Sequence, residues 1–175
     1  MTRPPRPFLE RCPIATWLER LAAAGVLPND SEETRLRKAT LTLASAGTIV
    51  AGLIWAGMFA ALGLGSAAMW PLFFSATITI SLLLFLRLRN FALFRECYLA
   101  LIPLTPFALQ ISLGGYANSG AVVVWSGLAP MGGLMFSSAR ASGVWYAAFV
   151  AILVAAAALD GTSAAQASEI GRAHV

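Results

Sequence analysis

Residues 40–62 read TLTLASAGTIVAGLIWAGMFAAL, 23 positions without one charged side chain. The hydrocarbon core of a bilayer, about 30 Å thick, takes roughly 20 apolar residues in helical form, so this stretch is long enough to cross it. On its N-terminal side stand Arg35, Arg37 and Lys38, cations that mark where the hydrocarbon begins. Before them, Pro28-Asn29-Asp30-Ser31-Glu32-Glu33 reads as a helix start. Asp30 or Ser31 supplies an acceptor for the unpaired N–H groups, and the glutamates suit the positive end of the helix dipole. One helix is therefore expected to run from water into the membrane.

On the C-terminal side the same pattern repeats. After the uncharged Gly63-Leu64-Gly65 turn, a second span is expected over 66–86, with Pro71 in its first turn, where a missing N–H does little harm. Arg87, Arg89 and Arg95 mark a return to the first side, and a third span over 97–113 carries Pro103 and Pro106, which predict a kink. A turn-rich loop, Gly114 to Gly120, leads to a fourth span over 121–138 containing Pro130, Gly132 and Gly133, followed by Arg140. A fifth over 143–159 ends at Asp160.

The expected fold is all-α: a polytopic integral membrane helical bundle over 39–160, with five transmembrane helices present of six. Residues 1–38 form a cytoplasmic N-terminal segment. Its proline-rich Arg3–Pro7 start cannot pack a core. Its Ile14, Trp17, Leu18, Leu21 and Val26 recur at helical spacing in a short amphipathic stretch ended by Gly25 and Pro28.

Composition excludes an ordinary soluble domain, since 58% of residues are hydrophobic and 11% charged, against roughly 45–50% and about 25% in soluble proteins. Seven of the twelve Lys and Arg residues lie in the first 38 positions, three follow between spans two and three, and one lies between four and five. Cations retained on the cytoplasmic side of short connections place the N-terminus inside and Asp160 outside. The basic residues flank apolar runs, so the net charge of +4 points to membrane orientation rather than to nucleic acid. Trp70, Trp145, Tyr98 and Tyr116 are expected near the interfaces. Cys12 and Cys97 lack the spacing of a redox or zinc motif, and the apolar run from Ala39 begins too late for a cleaved signal.

Residues with catalytic chemistry are scarce. The only histidine is His174, and there is no paired carboxylate in the spans, no phosphate-cradling glycine loop and no metal-ligand cluster. No catalytic, cofactor-binding or metal site is assigned, and no enzyme activity is expected of the chain by itself. Gln110 is the most polar side chain deep in a span; it serves either as an interhelical hydrogen bond or as a contact to a sensed ligand. Glu96 beside Arg95 reads as a solvated interfacial pair or a proton relay. Gly52, Ala56 and Ala60 recur every fourth position, a stripe suited to a dimer seam or to packing within one subunit. Pro103, Pro106, Pro130 and Gly132-Gly133 are static kinks or hinges.

Several strings resemble the N-terminal membrane region of bacterial class III adenylate/guanylate cyclases. They are Asp30-Ser31-Glu32-Glu33-Thr34-Arg35-Leu36-Arg37-Lys38-Ala39, Leu93-Phe94-Arg95, Pro103 to Pro106 with Phe107 and Gln110, Leu113-Gly114-Gly115, and Leu128-Ala129-Pro130-Met131-Gly132. The resemblance covers Asp30 to Gly161. It implies a membrane anchor and sensor or regulatory region in the bacterial inner membrane. There, six helices precede a cytoplasmic domain that makes cyclic nucleotide from a nucleoside triphosphate, with magnesium or manganese held at a homodimer interface. No catalytic position of that domain falls on this sequence. Ile170-Gly171-Arg172-Ala173-His174-Val175 also resembles the translation of a widely used sequencing adapter, so 161–175 is read as a truncated tail with native coding ending near Ser168. The alternatives are the membrane region of another signalling protein, such as a sensor histidine kinase, and a small transporter or channel component, which the scarcity of intramembrane charge disfavours.

Overall fold

The computed structural model describes residues 13–173 and the side chains of 16–160. The proline-rich start, Cys12 and His174 lie outside the described residues, as do the side chains of the tail after Asp160. The chain forms α1 (Pro13–Ala23), α2 (Glu32–Ala61), α3 (Gly65–Leu88), α4 (Phe91–Ser112), a single-turn α5 (Tyr116–Ser119), a 3-10 helix (Val122–Gly127), α6 (Leu128–Phe136) and α7 (Ala139–Ala173). No strand occurs among the described residues.

The long first helix begins where the sequence indicates. Ser31 is the cap: its Oγ accepts from the Thr34 N–H at 3.3 Å, and Glu32 and Glu33 occupy the first turn. At the far end, Gly63 takes φ +76°, a left-handed turn open to glycine without steric cost. Helix α3 then runs back beside α2. It stops at Arg89, itself left-handed, whose N–H bonds the Phe85 carbonyl at 2.8 Å. Asn90 caps α4 by accepting from the Leu93 N–H.

Among the described residues, four helices are long and apolar enough to cross a membrane: α2, α3, α4 and the Ala139–Asp160 part of α7. The segment expected as the fourth of five spans differs, because Val122–Phe136 is a shorter apolar helix of two kinds. Its sequence explains the break. Three consecutive β-branched valines disfavour α-helix, Gly127 weakens it, and Pro130 cannot donate to the carbonyl four residues back.

This composite segment nevertheless runs antiparallel to α4 along most of its length. Val123 N–H donates to Gln110 Oε1 at 3.2 Å, Ser126 Oγ to the Pro103 carbonyl at 3.2 Å, and Arg95 Nη1 to the Phe136 carbonyl at 3.3 Å. It thus covers the depth between Gln110 and Arg95. Helix α7 returns beside α6, where Ser142 Oγ donates to the Pro130 carbonyl at 2.8 Å. Gly132 and Gly133 lie between the two neighbours: a Cβ on Gly132 would sit 2.6 Å from Leu99 Cδ2, and one on Gly133 2.9 Å from the Ser142 Cα. Close packing therefore accounts for this pair.

The bundle places polarity inside and hydrocarbon outside. Thr42, Ser45, Ser75, Ser81, Gln110, Ser126 and Ser142 are buried, whereas Val50, Ile54, Met69, Leu83, Val144 and Val154 are among many large apolar side chains left exposed. A monomeric soluble protein rarely exposes so continuous an apolar surface. Lipid is the medium that such a surface fits. Among the described residues, many of the buried apolar side chains cluster in two groups, Leu41, Ile78, Leu82, Phe85, Phe94, Tyr98, Leu101 and Phe136 in one, and Ala67, Leu109 and Val122 in the other.

Three details depart from the sequence reading. Pro71 is the seventh residue of α3, in its second turn rather than its first, and even counted from Ser66 it would be the sixth. Tyr98 is 6% exposed and packs in the core instead of at an interface. The small-residue stripe is occupied within the chain: Gly52 lies against Ser75 and the Pro71 carbonyl of α3 and Ala56 is buried, while Ala60 is exposed. Packing between α2 and α3, not a seam for a second copy, uses Gly52 and Ala56.

Gly52→Leu would drive side-chain carbons into Ser75 and the α3 backbone, whereas a Cβ placed on Gly57 would meet nothing within 4 Å. Gly52→Leu is expected to lower stability by about 1–3 kcal/mol, the usual cost of overpacking, with Gly57→Leu close to wild type. Thermal unfolding of the detergent-solubilised chain checks this; equal melting temperatures for the two variants would contradict the packing assignment.

Candidate functional site

Alternating passes bring the cations of distant sequence segments to one end of the bundle. Arg37 Nη1, from α2, donates to the Ser137 carbonyl at 3.0 Å, and Arg95 Nη1, from α4, donates to the adjacent Phe136 carbonyl. Both carbonyls belong to the C-terminus of α6, where unpaired acceptors and the negative end of the helix dipole favour cations. Two helices are thus fastened to the end of a third. Each arginine has its own acid: Arg37 pairs with Glu33 at 2.6 Å and Arg95 with Glu96 at 2.7 Å. Glu96 is therefore held in an ion pair at the rim of this end.

A second fastening lies under the N-terminal segment. Lys38 Nζ donates to both oxygens of Asp30, at 2.9 and 2.8 Å, and the two side chains are only 5% and 12% exposed. Asp30 also accepts from the Leu27 N–H at 2.6 Å, closing the turn ahead of α2. The hydrogen bonds from Lys38, then that from Leu27, hold the Asp30 carboxyl below its ordinary value of 3.8. The sequence offered Asp30 as a helix cap. Its pairing with Lys38 was not visible there, because residues eight apart meet only when a turn folds back on the helix. Arg89 completes the end by donating to the Ala24 carbonyl, and Gly25 sits against the Phe85 ring, so α1 and its turn close over the α3–α4 junction.

The opposite end is built around Gln110. Its side chain is 2% exposed, and Oε1 accepts from the Val123 N–H and, at 3.4 Å, from Ser119 Oγ. The first N–H groups of a helix have no partner within it, so this amide caps the 3-10 helix from a neighbouring element. Of the two readings of Gln110, the structural bond is the one observed. Tyr116 anchors the same loop to α7, its hydroxyl donating to the Leu153 carbonyl at 3.1 Å and its N–H to Asp160 Oδ1 at 3.3 Å. Trp70 Nε1 donates to Ser112 Oγ at 2.5 Å, joining α3 to α4.

Helix α4 continues unbroken through Pro103 and Pro106. The role of the short hydroxyl side chains was missed by sequence reasoning. Ser75, Ser126 and Ser142 each donate to a carbonyl of another element. The available signal was the presence of serines at positions otherwise given to hydrocarbon, since a hydroxyl there faces protein rather than lipid. Among the described residues no three His, Cys, Asp or Glu side chains converge as metal ligands do. No family model, curated protein or solved structure matches the chain.

Because the Asp30 carboxyl is held below its ordinary value, the charged pair favours the folded state fully above that value, and its contribution falls as pH drops through the depressed one. Wild type is expected to melt above Asp30→Asn at neutral pH, with the gap narrowing once the pH falls below 3.8. Thermal unfolding of both proteins in detergent across that range measures it; a gap independent of pH would show that the charge of Asp30 contributes nothing.

Proposed function

We propose that the chain is the membrane anchor and regulatory region of a bacterial class III adenylate or guanylate cyclase, crossing the inner membrane five times with its N-terminus in the cytoplasm. What supports the orientation is the gathering of Arg35, Arg37, Lys38, Arg87, Arg89, Arg95 and Arg140 on the connections at one end, with Asp160 at the other. That asymmetry is the form the positive-inside bias takes in a folded bundle.

The fifth crossing is the composite one. Six residues of 3-10 helix rising about 2.0 Å each and nine of α-helix rising about 1.5 Å each give a length of about 25 Å. That approaches the thickness of the hydrocarbon core. The tighter winding lets a short segment keep pace with α4.

The cyclase assignment is carried by the strings that resemble that family, from the Asp30–Ala39 helix entry to Leu128–Gly132. Those residues have structural roles here: Ser31 caps α2, Asp30 and Lys38 pair, and Arg95 holds the end of α6. In this reading they fix the cytoplasmic ends of three helices relative to one another. Such ends are where a membrane bundle passes a change of arrangement to an attached domain. Cyclic-nucleotide formation, with magnesium or manganese and a homodimer interface, belongs to that domain and to no residue of this chain.

The direct test is the genomic sequence downstream of the Ser168 codon. The expected finding is one more apolar span followed by a cyclase domain with paired metal-binding aspartates. A phosphoacceptor-histidine domain would replace the reading with a sensor kinase, and an immediate stop codon after Val175 in clean genomic DNA would overturn it.

A further inference from the structure

A groove runs along the outer face of the α3–α4 pair at the arginine end. Its floor is the stacked pair Phe85 and Phe94, whose ring centroids are 4.9 Å apart with planes 5° from parallel. Its walls extend from Thr77 and Ser81 to Leu88 on α3, and from Asn90 to Cys97 on α4. Eleven residues of helix separate Thr77 from Leu88, a rise of about 16 Å. That matches half of a hydrocarbon core about 30 Å thick. The groove thus has about the length of one leaflet, with its Leu88 end toward the arginine end of the bundle.

Arg87 and Arg89 flank Leu88, the last groove residue of α3. Arg87 follows Leu84 by three residues and Ile80 by seven, and both line the groove. Positions so spaced share a helix face. Arg87 is exposed and, among the described residues, has neither an ion pair nor a hydrogen bond. Arg89 sits beside it, fixed to the Ala24 carbonyl with its charge unneutralised. The nearest acid along α4, Glu96, is engaged by Arg95.

We infer that this groove is a binding site for one anionic phospholipid, with an acyl chain along the Phe85–Phe94 floor and the headgroup phosphate on Arg87. The apolar lining alone would take any lipid. The unpaired guanidinium at the interface selects a negative headgroup, as basic pockets on the cytoplasmic side of membrane helices do. The inference rests only on the membrane placement of the arginine end, not on the identity of an attached domain.

The test is native mass spectrometry of the whole detergent-purified chain with equimolar dioleoyl phosphatidylglycerol and dioleoyl phosphatidylcholine. One phosphatidylglycerol should be retained with about fivefold preference, the ratio that one cation near a membrane surface supplies. Arg87→Gln should bring the ratio close to one. Arg140→Gln, which removes another charge that is exposed and, among the described residues, unpaired at the same end, should leave it in place. Leu84→Trp, at a half-exposed groove position, should reduce retention of both lipids. Helical circular dichroism confirms that each variant is folded. Equal retention of the two lipids by wild type, an unchanged ratio in Arg87→Gln, an equal loss in Arg140→Gln, or full retention in Leu84→Trp would each overturn the site.

Discussion

Hydrocarbon offers no hydrogen-bond partner, so a polar group taken into it is costly unless the chain satisfies it. That constraint orders the structure from the inside. Ser75, Ser126 and Ser142 spend their hydroxyls on carbonyls of neighbouring elements, and Gln110 reaches across to the open N–H of Val123. Apolar contact cannot specify how helices pair when lipid tails are as apolar as leucine. These few polar bonds, together with the close approaches at Gly52, Gly132 and Gly133, therefore set the register.

The same constraint explains why the ends look as they do. Carbonyls at the close of α6 have no partner within their own helix, and two arginines from α2 and α4 supply them. Charges that would be costly in hydrocarbon are gathered where water or headgroups can reach them. The deepest pair, Lys38 with Asp30, is matched atom for atom and sits under the turn before α2. In the proposed cyclase these contacts would make the cytoplasmic ends of the bundle one unit, and a lipid at Arg87 would report the surrounding membrane to it.

Much of this was legible in the sequence because long uncharged runs and flanking arginines are local signals. The start of α2 at Ser31-Glu32, the turn at Gly63 and the return at Arg89 all follow from residues within a few positions of the event. Val122–Phe136 was harder. Its hydropathy is that of a span, but three valines, Gly127 and Pro130 divide it into two kinds of helix, and only contact with α4 shows its course. Tyr98 was assigned to an interface by residue type, whereas its place in the core is a matter of tertiary packing. The partners of Asp30, Arg37 and Gln110 lie on other turns or other helices, and no periodicity within one segment reveals them.

In the proposed arrangement the bundle crosses a bilayer with its arginine end in the cytoplasm. Single cysteines at Ser66, Asn118, Arg87 and Arg140, in a background with Cys12 and Cys97 replaced by serine, read this out in intact cells through a membrane-impermeant maleimide. Ser66 and Asn118 should be labelled from outside, and Arg87 and Arg140 only after the membrane is opened. Labelling of Arg140 and Asn118 from the same side would contradict the course given to Val122–Phe136, and labelling of Arg87 from outside would contradict the orientation.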